Sequence, residues 1–395
     1  MRGGVRPKSS GRSAIGTFAA IVVASALVAM TSAPAANALT PRNMQHPKPH
    51  EVFWDHRVGE PPRVPTTIPF VVADATTGAV IAERDAHKKL PPASTLKILT
   101  ALALLPVLDP RKTVTATYGE ATVMGTRVGL VAGATYRVSD LFYGMFLASG
   151  NDASLALSRA AGGDAKTVAR MNDIARAIGA SDTVAKTPDG LDTRGQVSSV
   201  HDLALMSMIG LQRPDFASYV AATWVKFPGR LPAKSGLHRE TFEVWNLNRF
   251  MLENYPGAIG VKSGYTTKAH NTLVIAATRG RHTYIVSMLN AQVNPYVYAT
   301  ALMDWAFKYG ARAHAVDTLL PTAQSGRSEQ ASRDRISVLQ AALPQSGFGS
   351  GAGPASPRFP LPLVVLWGLG TLVAIGFLVR RRRRETSPMG DTQPA

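Results

Sequence analysis

The placing of the β-forming segments constrains this chain most. Near its start, "IPFVVADATTGAVIAERDA" (Ile68 to Ala86) reads as two strands around a turn at Thr76-Thr77-Gly78. A second pair comes much later, in "NTLVIAATRGRHTYIVSMLNA" (Asn271 to Ala291), joined at Arg279-Gly280-Arg281. Between them, from Ser94 to about Val225, the pattern is mainly helical, as in "VSDLFYGMFLASGNDASLALSRAA" and "AKTVARMNDIARAIG". A short β-like piece interrupts it around Gly119 to Val138, and "NPYVYATALMDWAFKYG" gives a closing helix that stops at Gly310. Two end hairpins can pair into one antiparallel sheet, which the helices must cover. The expected class is α/β of the α+β type: an antiparallel sheet flanked by helices, with an inserted all-helical subdomain. No internal repeat is present.

The termini give an address. Arg2, Arg6, Lys8 and Arg12 precede an apolar run from about Ala14 to Met30, and Ala36-Asn37-Ala38 fits a small-x-small cleavage rule. This predicts an export signal at 1–38. At the other end, Leu361 to Val379 carries no charge and is followed by Arg380 to Arg384. At 1.5 Å per residue that run spans about 28 Å, close to a bilayer's hydrocarbon core. Arginines remain on the cytoplasmic side. The expected topology is an extracytoplasmic domain with a C-terminal transmembrane helix in the cell membrane. The full plan is a signal peptide at 1–38, a flexible lead-in at 39–66, a catalytic domain at 67–312, a low-complexity linker at 313–358, an anchor at 359–380 and a cytoplasmic tail at 381–395.

Composition narrows the chemistry. Of 395 residues, 45% are hydrophobic and none is cysteine, so a sizeable core is available but no disulfide or thiolate metal site. The net charge of +17 favours anionic surfaces such as lipid headgroups or wall polymers. Basic and aromatic residues do not interleave, so nucleic acid is not an expected partner. His46, His50 and His56 fall in the polar lead-in and read as a solvated tail. No metal or cofactor is implied, and oligomeric state is not legible.

One short segment carries reactive groups. "PPASTLKILTALALL" sets Ser94 and Lys97 three residues apart at the start of an apolar helix, on one face. A serine hydroxyl needs a base, and a lysine becomes one when burial lowers its pKa. The helix N-terminus favours the oxyanion of an acylated serine. Alone, S-x-x-K also fits an N-cap serine with a solvated lysine. Two further pieces give it weight. Ser149-Gly150-Asn151 lies in a break between helices, where Ser149 can relay a proton and Asn151 can orient Lys97 and bind a substrate amide. Lys262-Ser263-Gly264 opens a strand. There Lys262 and Ser263 can meet a substrate carboxylate, and Gly264 can admit substrate backbone. Tyr265 and Thr266 complete the substrate-binding stretch, and the oxyanion donors would be the N–H groups of Ser94 and Tyr265. Lys234-Ser235-Gly236 is a second such triplet but lacks the "GYT" context.

S-x-x-K, S-x-N and K-[ST]-G in this order resemble the signature of penicillin-recognising serine enzymes. More narrowly, the chain from about Pro69 to Gly310 is similar to the serine-type D-alanyl-D-alanine carboxypeptidases, the low-molecular-mass penicillin-binding proteins. "KTPDGLDTRGQVSSVHDLALM", "NLNRFM" and "GAIGVKSGYTTKA" support this. The resemblance implies a β-lactamase/transpeptidase-like fold, a peptidoglycan stem peptide as substrate and β-lactams as covalent inhibitors. It departs from the family in Ser263, where threonine is usual, and in a linker where many relatives carry a β-rich domain. Two other readings compete. A β-lactamase would need a deacylating glutamate, and "EVWNLN" from Glu243 is a near miss at the wrong place. A non-catalytic wall-associated scaffold would be expected to have lost part of the set. Asp152, His201 and Asp202 are read as structural or surface residues.

Overall fold

The computed structural model describes residues 49–230 and 238–320. The signal at 1–38, the anchor at 359–380, the tail and the second triplet at Lys234 lie outside them. Among the described residues no helix is long and apolar enough to cross a membrane.

The strands are β1 (Phe53–Trp54), β2 (Phe70–Asp74), β3 (Ala79–Arg84), β4 (Thr113–Thr115), β5 (Thr135–Arg137), β6 (Trp224–Pro228), β7 (Thr241–Trp245), β8 (Ala258–Thr266), β9 (His270–Arg279), β10 (His282–Ala291) and β11 (Asp317–Thr318). The helices are α1 (Lys97–Leu104), α2 (Tyr118–Ala121), α3 (Val138–Leu147), α4 (Asn151–Ala160), α5 (Asp164–Ile178), α6 (Val200–Leu211), α7 (Pro214–Ala221), α8 (Arg249–Leu252) and α9 (Pro295–Tyr309). The main sheet is antiparallel and runs β1-β3-β2-β10-β9-β8, with β11 also on β3. The two end hairpins therefore join as expected, through β2 and β10, with Val72 opposite Val286. The β2–β3 turn is held by the Asp74 carboxylate, which accepts the Thr76 and Thr77 N–H groups, while Gly78 takes φ +78°.

Alternation along the strands splits the core in two. Val71, Val274 and Ile285 face the helices of the insertion, and Val72, Ile275 and Val286 face α9. The insertion between β3 and β8 is not all-helical. It includes the hairpins β4–β5 and β6–β7. The runs of β6 and β7 are only five residues each, too short for periodicity alone to mark as strands.

The boundaries also move. The lead-in expected to be flexible is part of the domain from Phe53 on. β1 pairs with β3, Ile68 is fully buried, and Trp305 Nε1 donates to the Gly59 carbonyl at 2.7 Å. The linker expected from 313 likewise begins late. His314 N–H donates to Asp55, β11 pairs with β3, and Leu319 is buried. Two-residue strands have too short a pattern to read, which is why both were missed. Gly310 does end α9, but with φ −59°. A Cβ there would lie 2.6 Å from the Tyr284 hydroxyl, so packing rather than a left-handed turn requires the glycine.

Candidate active site

Ser94 lies on a 3₁₀ turn, Ala93–Leu96, that runs straight into α1. Three residues per turn eclipse positions i and i+3, so Lys97 stands over Ser94; α-helical winding would offset the two by about 60°. Ser94 is partly exposed and Lys97 wholly buried, which puts a hydroxyl at the surface and an amine behind it.

The amine's neighbours set its chemistry. Lys97 Nζ lies 2.9 Å from Ser94 Oγ, 2.7 Å from Asn151 Oδ1 and 2.5 Å from the Asp189 carbonyl. The Asn151 amide cannot be reversed, because its Nδ2 donates to the Met124 carbonyl at 2.8 Å. Asn151 Oδ1 and Asp189 O are acceptors only. They take two amine hydrogens, and the third position, a lone pair in the neutral amine, faces the Ser94 hydroxyl. Burial lowers the Lys97 ammonium to about 8, against the opposing charges of Asp189 and Asp152.

Main-chain geometry around the serine is unusual. Ala93 has φ +48° and Ser149 φ +57°, both in the left-handed region that non-glycine residues rarely adopt. A Cβ on Gly190 (φ +85°) would meet the Ala93 carbonyl at 2.1 Å, so the loop 187–193 presses on the nucleophile's turn only because residue 190 is glycine. That loop is fixed from three sides. The Pro188 carbonyl accepts from Thr100 and Ser154, both at 2.7 Å, and Gln196 Oε1 accepts from the Lys186 and Thr187 N–H groups.

The remaining expected residues divide. Ser149 is buried in the turn between α3 and α4, and no hydrogen bond joins its hydroxyl to Lys97 or Ser94. Lys262 is buried on β8, with Nζ on the Ser263 carbonyl at 2.6 Å. Burial, then the charge of Lys97, pushes its pKa well below the ordinary lysine value. The Lys262 triplet sits mid-strand, because β8 starts at Ala258 rather than at Lys262. Ser263 is half-buried beside Lys262 on β8.

Gly264 departs from its expected role. A Cβ there would lie 2.7 Å from Ser94 N and 2.7 Å from Thr272 Oγ1. The backbone it admits is that of the Ser94 turn, which brings the Ser94 N–H against β8. Tyr265 is exposed. Thr266, expected among the substrate-binding residues, uses its hydroxyl within the protein. It donates to Asp192 Oδ1 at 2.9 Å and accepts the Ala269 N–H. Glu243 lies on exposed β7 and accepts from Trp245 Nε1.

Sequence reasoning missed the Asp189 carbonyl, because a main-chain carbonyl has no side-chain signature. Asp152 is structural as expected, and firmly so. It is fully buried, and its carboxylate accepts the N–H groups of Val128, Gly129 and Leu130. This pins the loop whose Met124 carbonyl orients Asn151.

Known proteins resemble this chain. A family profile described as D-alanyl-D-alanine carboxypeptidase matches residues 60–293. D-alanyl-D-alanine carboxypeptidase DacB2 of Mycobacterium tuberculosis is 36% identical over 251 residues, which are 62% of this chain and 83% of that protein. DacF of Bacillus subtilis is 31% identical over 248 residues, 60% of this chain and 61% of DacF. Among crystal structures, a D-alanyl-D-alanine carboxypeptidase from M. tuberculosis superimposes with a TM-score of 0.62 at 34% identity, covering 67% of this chain and 99% of that one. The Streptomyces K15 DD-transpeptidase gives 0.59 at 25% identity, covering 63% and 100%. By family profile, sequence and fold, the chain belongs to the D-alanyl-D-alanine carboxypeptidase family, within the penicillin-recognising serine enzymes.

Proposed function

We propose that this protein is an exported, membrane-anchored carboxypeptidase that removes the terminal D-Ala from peptidoglycan stem peptides through a Ser94 acyl-enzyme. The observation that carries the reading is the Lys97 amine, held by Asn151 Oδ1 and Asp189 O so that its remaining position faces Ser94 Oγ at 2.9 Å. Neutral Lys97 takes the Ser94 proton, and Ser94 attacks the penultimate carbonyl. The N–H groups of Ser94 and Tyr265 hold the oxyanion, each worth about 3 kcal/mol. The leaving D-Ala amine is protonated through Ser149, and water then releases the shortened peptide.

Among the described residues β8 pairs along the main sheet only with β9, which supports an extended peptide adding at its other edge. Lys262 and Ser263 on that strand meet the substrate carboxylate, whose charge restores the ammonium that burial disfavours. β-Lactams react with the same serine. The apolar run at Leu361 to Val379 with its arginines supports an anchor, and the N-terminal segment supports export.

The test is labelling of the full chain with a fluorescent penicillin, beside release of D-Ala from a D-Ala-D-Ala peptide. Both activities in the parent and neither in Ser94→Ala are expected. Labelling without D-Ala release would overturn the substrate, and labelling that persists in Ser94→Ala would overturn the nucleophile.

A further inference from the structure

Away from the catalytic serine, three segments converge near the outer edge of β3. His87 follows β3, His201 lies in the first turn of α6, and Asp317 belongs to β11. One donor atom from each lies within 4.8 Å of the other two.

Both imidazoles are oriented from behind. His87 Nδ1 is bonded to Asp182 Oδ2 at 2.8 Å, which leaves Nε2, and Nε2 lies 3.7 Å from Asp317 Oδ2. His201 Nε2 is bonded to the Thr318 carbonyl at 3.2 Å, while its buried Nδ1 makes no hydrogen bond and lies 3.5 Å from Asp202 Oδ1. Metal-binding histidines are commonly fixed in this way, with one ring nitrogen on a carboxylate or carbonyl and the other free for the ion. A second irregularity points to the same place. Glu83, whose charge interacts with both histidines and with Asp317, has one buried carboxylate oxygen without a hydrogen-bond partner. Native proteins rarely leave such atoms unpaired unless water or an ion serves them.

We propose that His87, His201 and Asp317 form a binding site for a zinc-class divalent cation, which ties β11 to the body of the domain. Two imidazoles and a carboxylate, with water in the fourth position, match zinc's preferences. Tetrahedral donors around zinc stand about 3.4 Å apart, so the three groups would close by about 1 Å. His87 is exposed and β11 is a two-residue edge strand, and both can make that movement. The rival occupant is a proton: a His87 imidazolium can bridge Asp182 and Asp317 with no ion at all.

The full chain, stripped with a chelator, should take up one zinc ion per molecule in calorimetric titration with zinc chloride. Its melting temperature should rise by about 5 °C at a hundredfold excess over Kd. Uptake should fall at least tenfold in His201→Ala and in Asp317→Asn, while penicillin labelling, which reports folding, remains. If His201→Ala fails to fold, exposed His87→Ala decides in its place. Absence of saturable uptake, or uptake equal in parent and variants, would overturn the site and leave the proton bridge.

Discussion

The two faces of the main sheet are covered in opposite ways. On the α9 face, Phe70, Val72, Leu273, Ile275, Val286 and Met288 pack with Ala299, Leu302, Met303 and Ala306, and every one of these is fully buried. The other face meets the insertion, whose core is threaded with buried polar groups: Thr95, Lys97, Thr100, Asp152, Ser154, Ser158 and Ser207. The α9 face is closed mainly by shape, with buried Arg84 over Phe70 held by the carbonyls of Val64, Pro65 and Ile68, and the other face by a wider set of hydrogen bonds. Apolar packing stabilises wherever it occurs, whereas a buried ammonium or hydroxyl costs free energy unless it is paired. The molecule concentrates that cost on the side that does chemistry.

This contrast can be broken by substitution. Lys97→Met should lower the penicillin acylation rate by about 10³-fold, within the range for loss of a general base, while the melting transition persists. Unfolding instead would mean that the polar cluster is a scaffold first. Leu302→Ala should do the reverse. Urea melts should show a loss of about 2–5 kcal/mol, with an unchanged acylation rate per folded molecule. Slower acylation there would show that the two faces are coupled.

Asp152→Asn tests the seam between stability and chemistry. With an amide N–H₂ in place of Oδ2, it leaves the Gly129 and Leu130 N–H groups without an acceptor, and should cost about 2 kcal/mol and slow acylation through the loop that orients Asn151. The smallest effect is one of pH. Burial lowers Lys97 to about 8, so its neutral, base-competent form grows as pH rises. Acylation should increase about tenfold between pH 7 and 9, the amount expected for one group titrating in that window. A flat profile would remove Lys97 as the base.

The reactive triplets were legible because each lies within a few consecutive residues of recognisable type. Ser94 with Lys97, Asn151, and Lys262 with Ser263 were found this way, and the pairing of the two end hairpins followed from strand periodicity. What remained hidden depends on distant partners. The Asp189 carbonyl reaches Lys97 across the fold. Gly264 answers to the backbone of Ser94, and β1 and β11 exist only because β3 offers them an edge. The 3₁₀ winding at Ser94, which sharpens its alignment with Lys97, differs from an α-helix by too little for residue types to signal.

The order β2-β10-β9-β8 has a consequence for the newly made chain. β2 precedes the whole insertion, and its partner β10 follows it. Closing so long a loop is entropically slow, and non-local strand pairing of this kind is a late event in folding. Until it happens, β8 is not held against the turn that carries Ser94. Reactivity toward penicillin is thus a certificate of completed folding, and a truncated or misassembled chain should be silent to it.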